Sequence, residues 1–138
     1  MLNVTLIVSK DNDVRKRFSE MLQKIGVPFI FESDVAQAIL RILEVKFRLT
    51  VIDLESMDCN QTDLLKVIQL LRPKLPVFAI IDETMMDSYQ QFLDAGAKYC
   101  LIKSTQDEEL TMTIKEILSD AKISSLGSIS SEKRGDQE

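Results

Sequence analysis

Two charged side chains close apolar runs that a fold can bring together. Asp53 ends Leu49-Thr50-Val51-Ile52, and Lys103 ends Tyr99-Cys100-Leu101-Ile102. A third polar group, Ser9-Lys10-Asp11-Asn12-Asp13, follows the run Val4-Thr5-Leu6-Ile7-Val8. A fully buried Asp is uncommon, so Asp53 is expected at a strand's carboxyl end, where the chain turns outward. In open α/β sheets that edge is where ligands bind and chemistry happens. The residue types leave carboxylate chemistry: ion pairs with lysine, or oxygen ligands for a hard cation. Other chemistries lack their groups. The chain has no His, which removes His-dependent triads and a His phosphodonor. The first polar turn contains no Gly, so no phosphate-cradling loop is present, and there is no Ser nucleophile elbow. A small enzyme, or a nucleotide- or flavin-binding domain, is therefore poorly supported.

The elements that must position these groups follow one pattern. Val4–Val8 is a first strand, and its β-branched, continuous apolar character marks burial on both faces. Asp11, Asn12 or Asp13 caps a helix with Val14, Phe18, Met21, Leu22 and Ile25 inward, and Gly26 stops it. Pro28–Phe31 is a second strand of edge type. A helix from Ser33 or Asp34 turns Val35, Ala38, Ile39, Ile42 and Leu43 inward. The strand ending at Asp53 is third. Its helix carries Leu64, Val67, Ile68 and Leu71 and ends at Pro73. Val77–Ile81 is the fourth strand, followed by a helix from about Thr84 with Met85, Tyr89, Phe92 and Leu93 inward, ending at Gly96. Tyr99–Ile102 is the fifth, and Thr105-Gln106-Asp107-Glu108 is a capping box opening a last helix with Leu110, Ile114, Ile117 and Leu118 inward. Strict βα alternation over five units predicts a parallel, doubly wound α/β sheet with helices on both faces.

Composition agrees with one such domain. The 138 residues are 45% hydrophobic, enough for one core of ordinary size. Residues 1–122 are read as the domain, and residues 123–138, rich in Ser, Gly and charge, as a flexible tail or linker. No run is long enough for a membrane span, and the first ten residues lack signal-peptide character, so a cytoplasmic location is expected. Cys59 and Cys100 without any His make a zinc site improbable, and both are read as reduced structural thiols. A net charge of −5 argues against a nucleic-acid-binding surface. Arg15-Lys16-Arg17 is read as a solvated helix face.

Together, Leu6-Ile7-Val8, Val51-Ile52-Asp53-Leu54, Pro76-Val77-Phe78-Ala79-Ile80, Ala95-Gly96-Ala97 and Leu101-Ile102-Lys103 resemble a response-regulator receiver domain, over about residues 3 to 121. The resemblance implies a flavodoxin-like fold of strand order 2-1-3-4-5. It places Asp53 on the phospho-acceptor position and Lys103 on the phosphate-contacting lysine. In the family a histidine kinase supplies the phosphoryl group, and Mg²⁺, held by an acidic pair after the first strand, neutralises the crowded oxygens.

This sequence departs from that pattern at several points. The acidic-pair positions fall on Ser9 and Lys10, the switch hydroxyl on Ile81, and the coupled aromatic on Cys100. Tyr99 lies one position early, which faces it the other way. Asp82 and Glu83 add negative charge after Ile81, and Ser104 replaces the usual Pro after the lysine, so no cis peptide is expected there. The loop after Asp53 carries Met57 and Gln61 in place of its usual Pro and Gly. The expectation is a degenerate site, with no cofactor, in which the Lys10 and Lys103 ammonium groups flank Asp53 and take the place of Mg²⁺. The chain would then be a non-enzymatic, phosphorylation-independent interaction module. Its partner or second copy would dock on the face of the fourth helix, fifth strand and fifth helix, through residues such as Met86, Ser88, Gln91, Asp94, Lys98, Gln106, Glu109 and Lys115. The competing expectation is a working phospho-acceptor on Asp53, with Glu55, Asp11 or Asp13 as substitute Mg²⁺ ligands.

Overall fold

The computed structural model describes residues 4–126, with side chains as far as residue 119. Five strands, β1 (Thr5–Val8), β2 (Phe29–Glu32), β3 (Leu49–Asp53), β4 (Val77–Ile81) and β5 (Tyr99–Ile102), alternate with five helices. The helices are α1 (Asn12–Lys24), α2 (Val35–Glu44), α3 (Gln61–Leu71), α4 (Tyr89–Ala95) and α5 (Asp107–Leu126). All strand pairs are parallel, in the order β2-β1-β3-β4-β5. The doubly wound fold and its strand order are as expected.

Period-two alternation along the strands divides the core into two layers. Leu6, Val8, Ile52, Ala79 and Ile81 face one side, against Ala38 and Ile42 of α2, Leu65 and Ile68 of α3, and Phe92 of α4. Ile7, Val51, Phe78 and Ile80 face the other, against Val14, Phe18 and Leu22 of α1 and Leu110 and Ile114 of α5. The Phe18 and Phe78 rings meet edge-on at 6.2 Å, which ties α1 to the sheet.

Local chemistry sets the boundaries. Asp11 caps α1, accepting from the N–H groups of Asp13 and Val14, and Asp34 caps α2 through Gln37 N–H. Gly96 ends α4 at φ 129°, a backbone conformation that L side chains rarely adopt. β2 begins one residue later than expected, with the Pro28 carbonyl accepting from Thr5 N–H at 3.0 Å. The fourth helical region starts as a six-residue 3₁₀ turn, Glu83–Ser88, initiated by Asp82 bonding Thr84, and becomes α-helical only at Tyr89. Leu43, Val67 and Tyr89, expected inward, are exposed by 47%, 42% and 36%. On α3, Leu65 takes the buried place beside Leu64 and Ile68, because the stripe that meets the sheet is narrower than the run of apolar residues. α5 continues through Leu126, so the boundary expected near Lys122 falls inside it, and residues 127–138 of the expected tail lie outside the described residues. No helix among the described residues is long and apolar enough to cross a membrane.

Candidate functional site

The site forms where the direction of winding reverses. β1 connects outward to β2, while β3 lies on its other side, with Val8 opposite Ile52. The next residues along each strand, Ser9 and Asp53, therefore leave the sheet side by side at its carboxyl edge. Both are buried, at 0% and 1% exposure. Ser9 Oγ donates to Asp53 Oδ2 at 2.7 Å and accepts from Asp11 N–H at 2.9 Å. The hydroxyl thus locks the carboxylate to the first loop.

Lys103 supplies the countercharge. β5 hands it over at the same edge, its N–H donating to the Ile81 carbonyl at 2.8 Å. Its ammonium lies 3.2 Å from Asp53 Oδ1, 2.5 Å from Glu55 Oε1 and 3.5 Å from Asp11 Oδ2. The contact to Oδ1 is an ion pair set off the line of a hydrogen bond, so this buried oxygen has charge compensation but no directed donor. Burial works against the Lys103 charge, yet the Glu55 hydrogen bond and the Asp53 charge outweigh it and hold the ammonium above its usual range. Burial likewise opposes ionised Asp11. The N–H groups of Asp13 and Val14 and the Lys103 ammonium prevail, keeping its carboxyl below the usual carboxylate range.

Lys10 does not flank Asp53, contrary to expectation. Its ammonium pairs with Asp58 across the surface, and its N–H donates to Ser56 Oγ at 3.0 Å. Successive residues of an extended chain point oppositely, so Ser9 turning inward sends Lys10 outward. Of the two lysines, only Lys103 reaches Asp53. The proposed substitute ligands Asp11, Asp53 and Glu55 do converge, but on this ammonium; Asp13 lies in the first turn of α1, its N–H given to Asp11.

The other departures are structural as placed. Ile81 is fully buried, and Cys100 is buried at 3% exposure, with burial pushing its thiol up to about 11. Tyr99 packs into the opposite core layer from Cys100, as the one-residue offset predicts. Asp82 is taken up in capping Thr84, and Glu83 accepts from Ser104 Oγ at 3.3 Å, so neither acid aims at Asp53. Met57 is buried and Gln61 Nε2 donates to the Leu54 carbonyl at 3.1 Å, so the residues in place of Pro and Gly pin the loop after Asp53.

Sequence reasoning missed Arg17. Expected on a solvated face, it reaches from α1 into the β5–α5 loop. Its guanidinium donates to Asp107 Oδ1 at 2.5 Å, to the Lys103 carbonyl at 2.6 Å and to the Thr105 carbonyl. Arg15 lies over the Phe31 ring at 4.8 Å. A helix-surface arginine four residues before the buried Met21 carries no sequence signal of such a clamp.

The family model of the response regulator receiver domain matches residues 5–115. The chain belongs to that family. Solved structures agree on the fold of this receiver. A CheY-like receiver domain protein from Methanospirillum hungatei JF-1 superposes with a TM-score of 0.81 at 22% identity, covering 90% of this chain and 99% of that one. A two-component response regulator from Clostridium difficile gives 0.77 at 23%, covering 85% and 96%. The beryllofluoride-activated NtrC4 receiver domain dimer gives 0.80 at 21%, covering 87% and 99%. No curated protein sequence matches the chain.

Membership in the family raises the question of Mg²⁺. The donor set does not fit a divalent ion as placed. An ammonium sits at the focus of the three carboxylates, and Ser9 occupies one oxygen of Asp53. Among the described residues, no group of three His, Cys, Asp or Glu residues is spaced to hold a metal. A metal would require Lys103 to withdraw.

Proposed function

We propose that this receiver acts as a phosphorylation-independent protein-interaction module of the cytoplasm, with its phospho-acceptor site closed as an internal ion-pair network. The single observation that carries this reading is the Lys103 ammonium held among Asp11, Asp53 and Glu55, with Ser9 bonded to the far oxygen of Asp53. Phosphoryl transfer needs the carboxylate free to attack and a cation to neutralise the incoming oxygens. Here the oxygens are engaged and the cation is covalently attached. Ile81 and Cys100, buried and apolar, provide neither a hydroxyl to follow a phosphoryl group nor an aromatic ring to report it.

Docking is assigned to the α4–β5–α5 face. Met86, in the 3₁₀ turn that leads into α4, is 47% exposed, an apolar anchor with adaptable shape. Gln91, Asp94, Lys98, Gln106, Glu109 and Lys115 are exposed as well, while Ser88 is half-buried. The NtrC4 receiver is a dimer in its activated form, which supports a second copy as one occupant of the face.

One observation favours a second reading. Asp11, Asp53 and Glu55 each place an oxygen within 3.5 Å of the Lys103 ammonium, so withdrawal of Lys103 with rearrangement of these side chains would free carboxylates for Mg²⁺ and a phospho-acceptor on Asp53. Incubation with acetyl phosphate and Mg²⁺, read by intact mass, separates the two. No phosphoryl adduct is expected. An adduct that Asp53→Asn abolishes would establish the second reading and end the first.

A further inference from the structure

The edge of the sheet opposite Asp53 carries a separate feature. An open cleft of about 340 Å³ lies between the α2–β3 loop (Val45, Phe47) and the end of α3 with the loop after it (Leu71, Pro73, Leu75). Its walls are predominantly apolar. The Arg72 guanidinium spans its two sides, donating to the Leu71 carbonyl at 3.2 Å and the Leu43 carbonyl at 3.0 Å, and so fixes the ends of α2 and α3 relative to each other. The two helices that end here also carry the exposed leucines of the described residues. Leu40 and Leu43 of α2 are 48% and 47% exposed, and Leu70 of α3 is 82% exposed.

Charge gives this apolar end a sign. Lys46, Arg72 and Lys74 line the cleft, and none lies within 4.0 Å of a carboxylate of the described residues. The bonds of Arg72 go to main-chain carbonyls, which leave its positive charge unneutralised. The chain as a whole carries −5, so a local excess of free cations runs against the overall balance. Outside the cleft, Lys10 pairs with Asp58, Arg17 with Asp107, Arg41 with Glu32, and Lys103 with three carboxylates.

We propose that this cleft docks an amphipathic helical segment of a protein partner, with one large apolar side chain entering between Phe47 and Leu71 and acidic residues facing Lys46, Arg72 and Lys74. A concave apolar pocket of this size suits a side-chain anchor, and helix-in-groove recognition spaces such anchors one turn apart. A second copy of the chain is disfavoured, because a two-fold contact through this surface would set the same cations against each other. A flat lipid surface would leave the cleft unfilled. The surface lies at the opposite end of the strands from Asp53 and does not depend on the state of that site.

The test uses the full chain and a fluorescein-labelled helical peptide of ~16 residues with Leu at i, i+3, i+4 and i+7 and Glu on the flanks. Amide chemical shifts of Phe47, Leu71 and Leu75 are expected to move on titration, and binding should weaken as salt rises. The double variant Lys46→Glu with Lys74→Glu should bind at least about tenfold more weakly while keeping its unfolding midpoint, since both lysines are exposed. A peptide with Lys in place of Glu should leave the spectrum unchanged. The proposal fails if the acidic peptide moves none of these amides at ~1 mM, or if the charge-reversed protein binds it equally well. It also fails if phosphatidylglycerol vesicles bind the protein while the peptide does not, or if the protein self-associates through this surface in a manner that Leu70→Asp abolishes. Mass analysis after acetyl phosphate is unaffected by any of these results, so failure here is distinct from failure at Asp53.

Discussion

Replacing Lys103 by Met isolates the contribution of the central ion pair. Met preserves much of the stem and removes the charge. The Asp53 side chain is fully buried and the Lys103 side chain is 21% exposed, so solvent replaces little of the lost attraction. Removing one partner of a buried pair leaves an uncompensated charge and costs about 3–5 kcal/mol. Ser9 retains its bond to Asp53, which places the expected loss near the lower end, about 3 kcal/mol, or roughly a 10 °C fall in the thermal midpoint. Asp53→Asn is expected to cost far less, within about 1 kcal/mol, because Lys103 keeps Glu55 and Asp11 and the amide oxygen still accepts from Ser9. The double variant should recover much of the loss from Lys103→Met, giving a coupling of about 2 kcal/mol in a urea-unfolding cycle. A Lys103→Met cost under about 1 kcal/mol, or a coupling indistinguishable from zero, would refute the reading of Lys103 as a tethered counter-ion.

Two further outcomes follow from the same geometry. Arg17→Met removes three bonds between α1 and the β5–α5 loop and should cost about 1–2 kcal/mol, with faster hydrogen exchange at Lys103 and Thr105 but not at the centre of α1; unchanged exchange in that loop would show that the clamp does not hold it. The pH profile of stability should be flat through neutrality and fall at both ends. The lowered Asp11 carboxyl contributes stability above its unfolded value of about 3.9 that is lost as pH falls through its folded value, and the raised Lys103 contributes stability below about 10.4 that is lost as pH rises through its folded value. Asp11→Asn keeps the helix cap and should flatten the acid limb; a variant whose unfolding midpoint tracks the parent at every pH would contradict this.

Several features were legible in the sequence because they rest on neighbouring residues. Five short, largely apolar runs alternating with helical periodicity specify a parallel sheet, and the short turns after them specify which residues reach its carboxyl edge. That logic placed Asp53, Lys103 and Ser9 at one rim, and turned Tyr99 and Cys100 to opposite layers. The resemblance to the receiver family made the absent acidic pair, switch hydroxyl and coupled aromatic visible as well, because it says which residue types to expect after the strand ends.

What each side chain meets there was decided only by the tertiary structure. Ser9 and Lys10 are adjacent in the chain, yet one bonds Asp53 and the other bonds Asp58, because extended backbone points neighbours in opposite directions and only packing selects which turns inward. Glu55 and Asp11 become partners of one lysine, 48 and 92 positions away respectively, through the ordering of β1, β3 and β5 in the sheet. The Arg17 clamp and the cleft between Phe47 and Leu71 likewise join segments remote in sequence. Local propensity sets where a strand ends; a long side chain's partner is set by which other strands end within its reach.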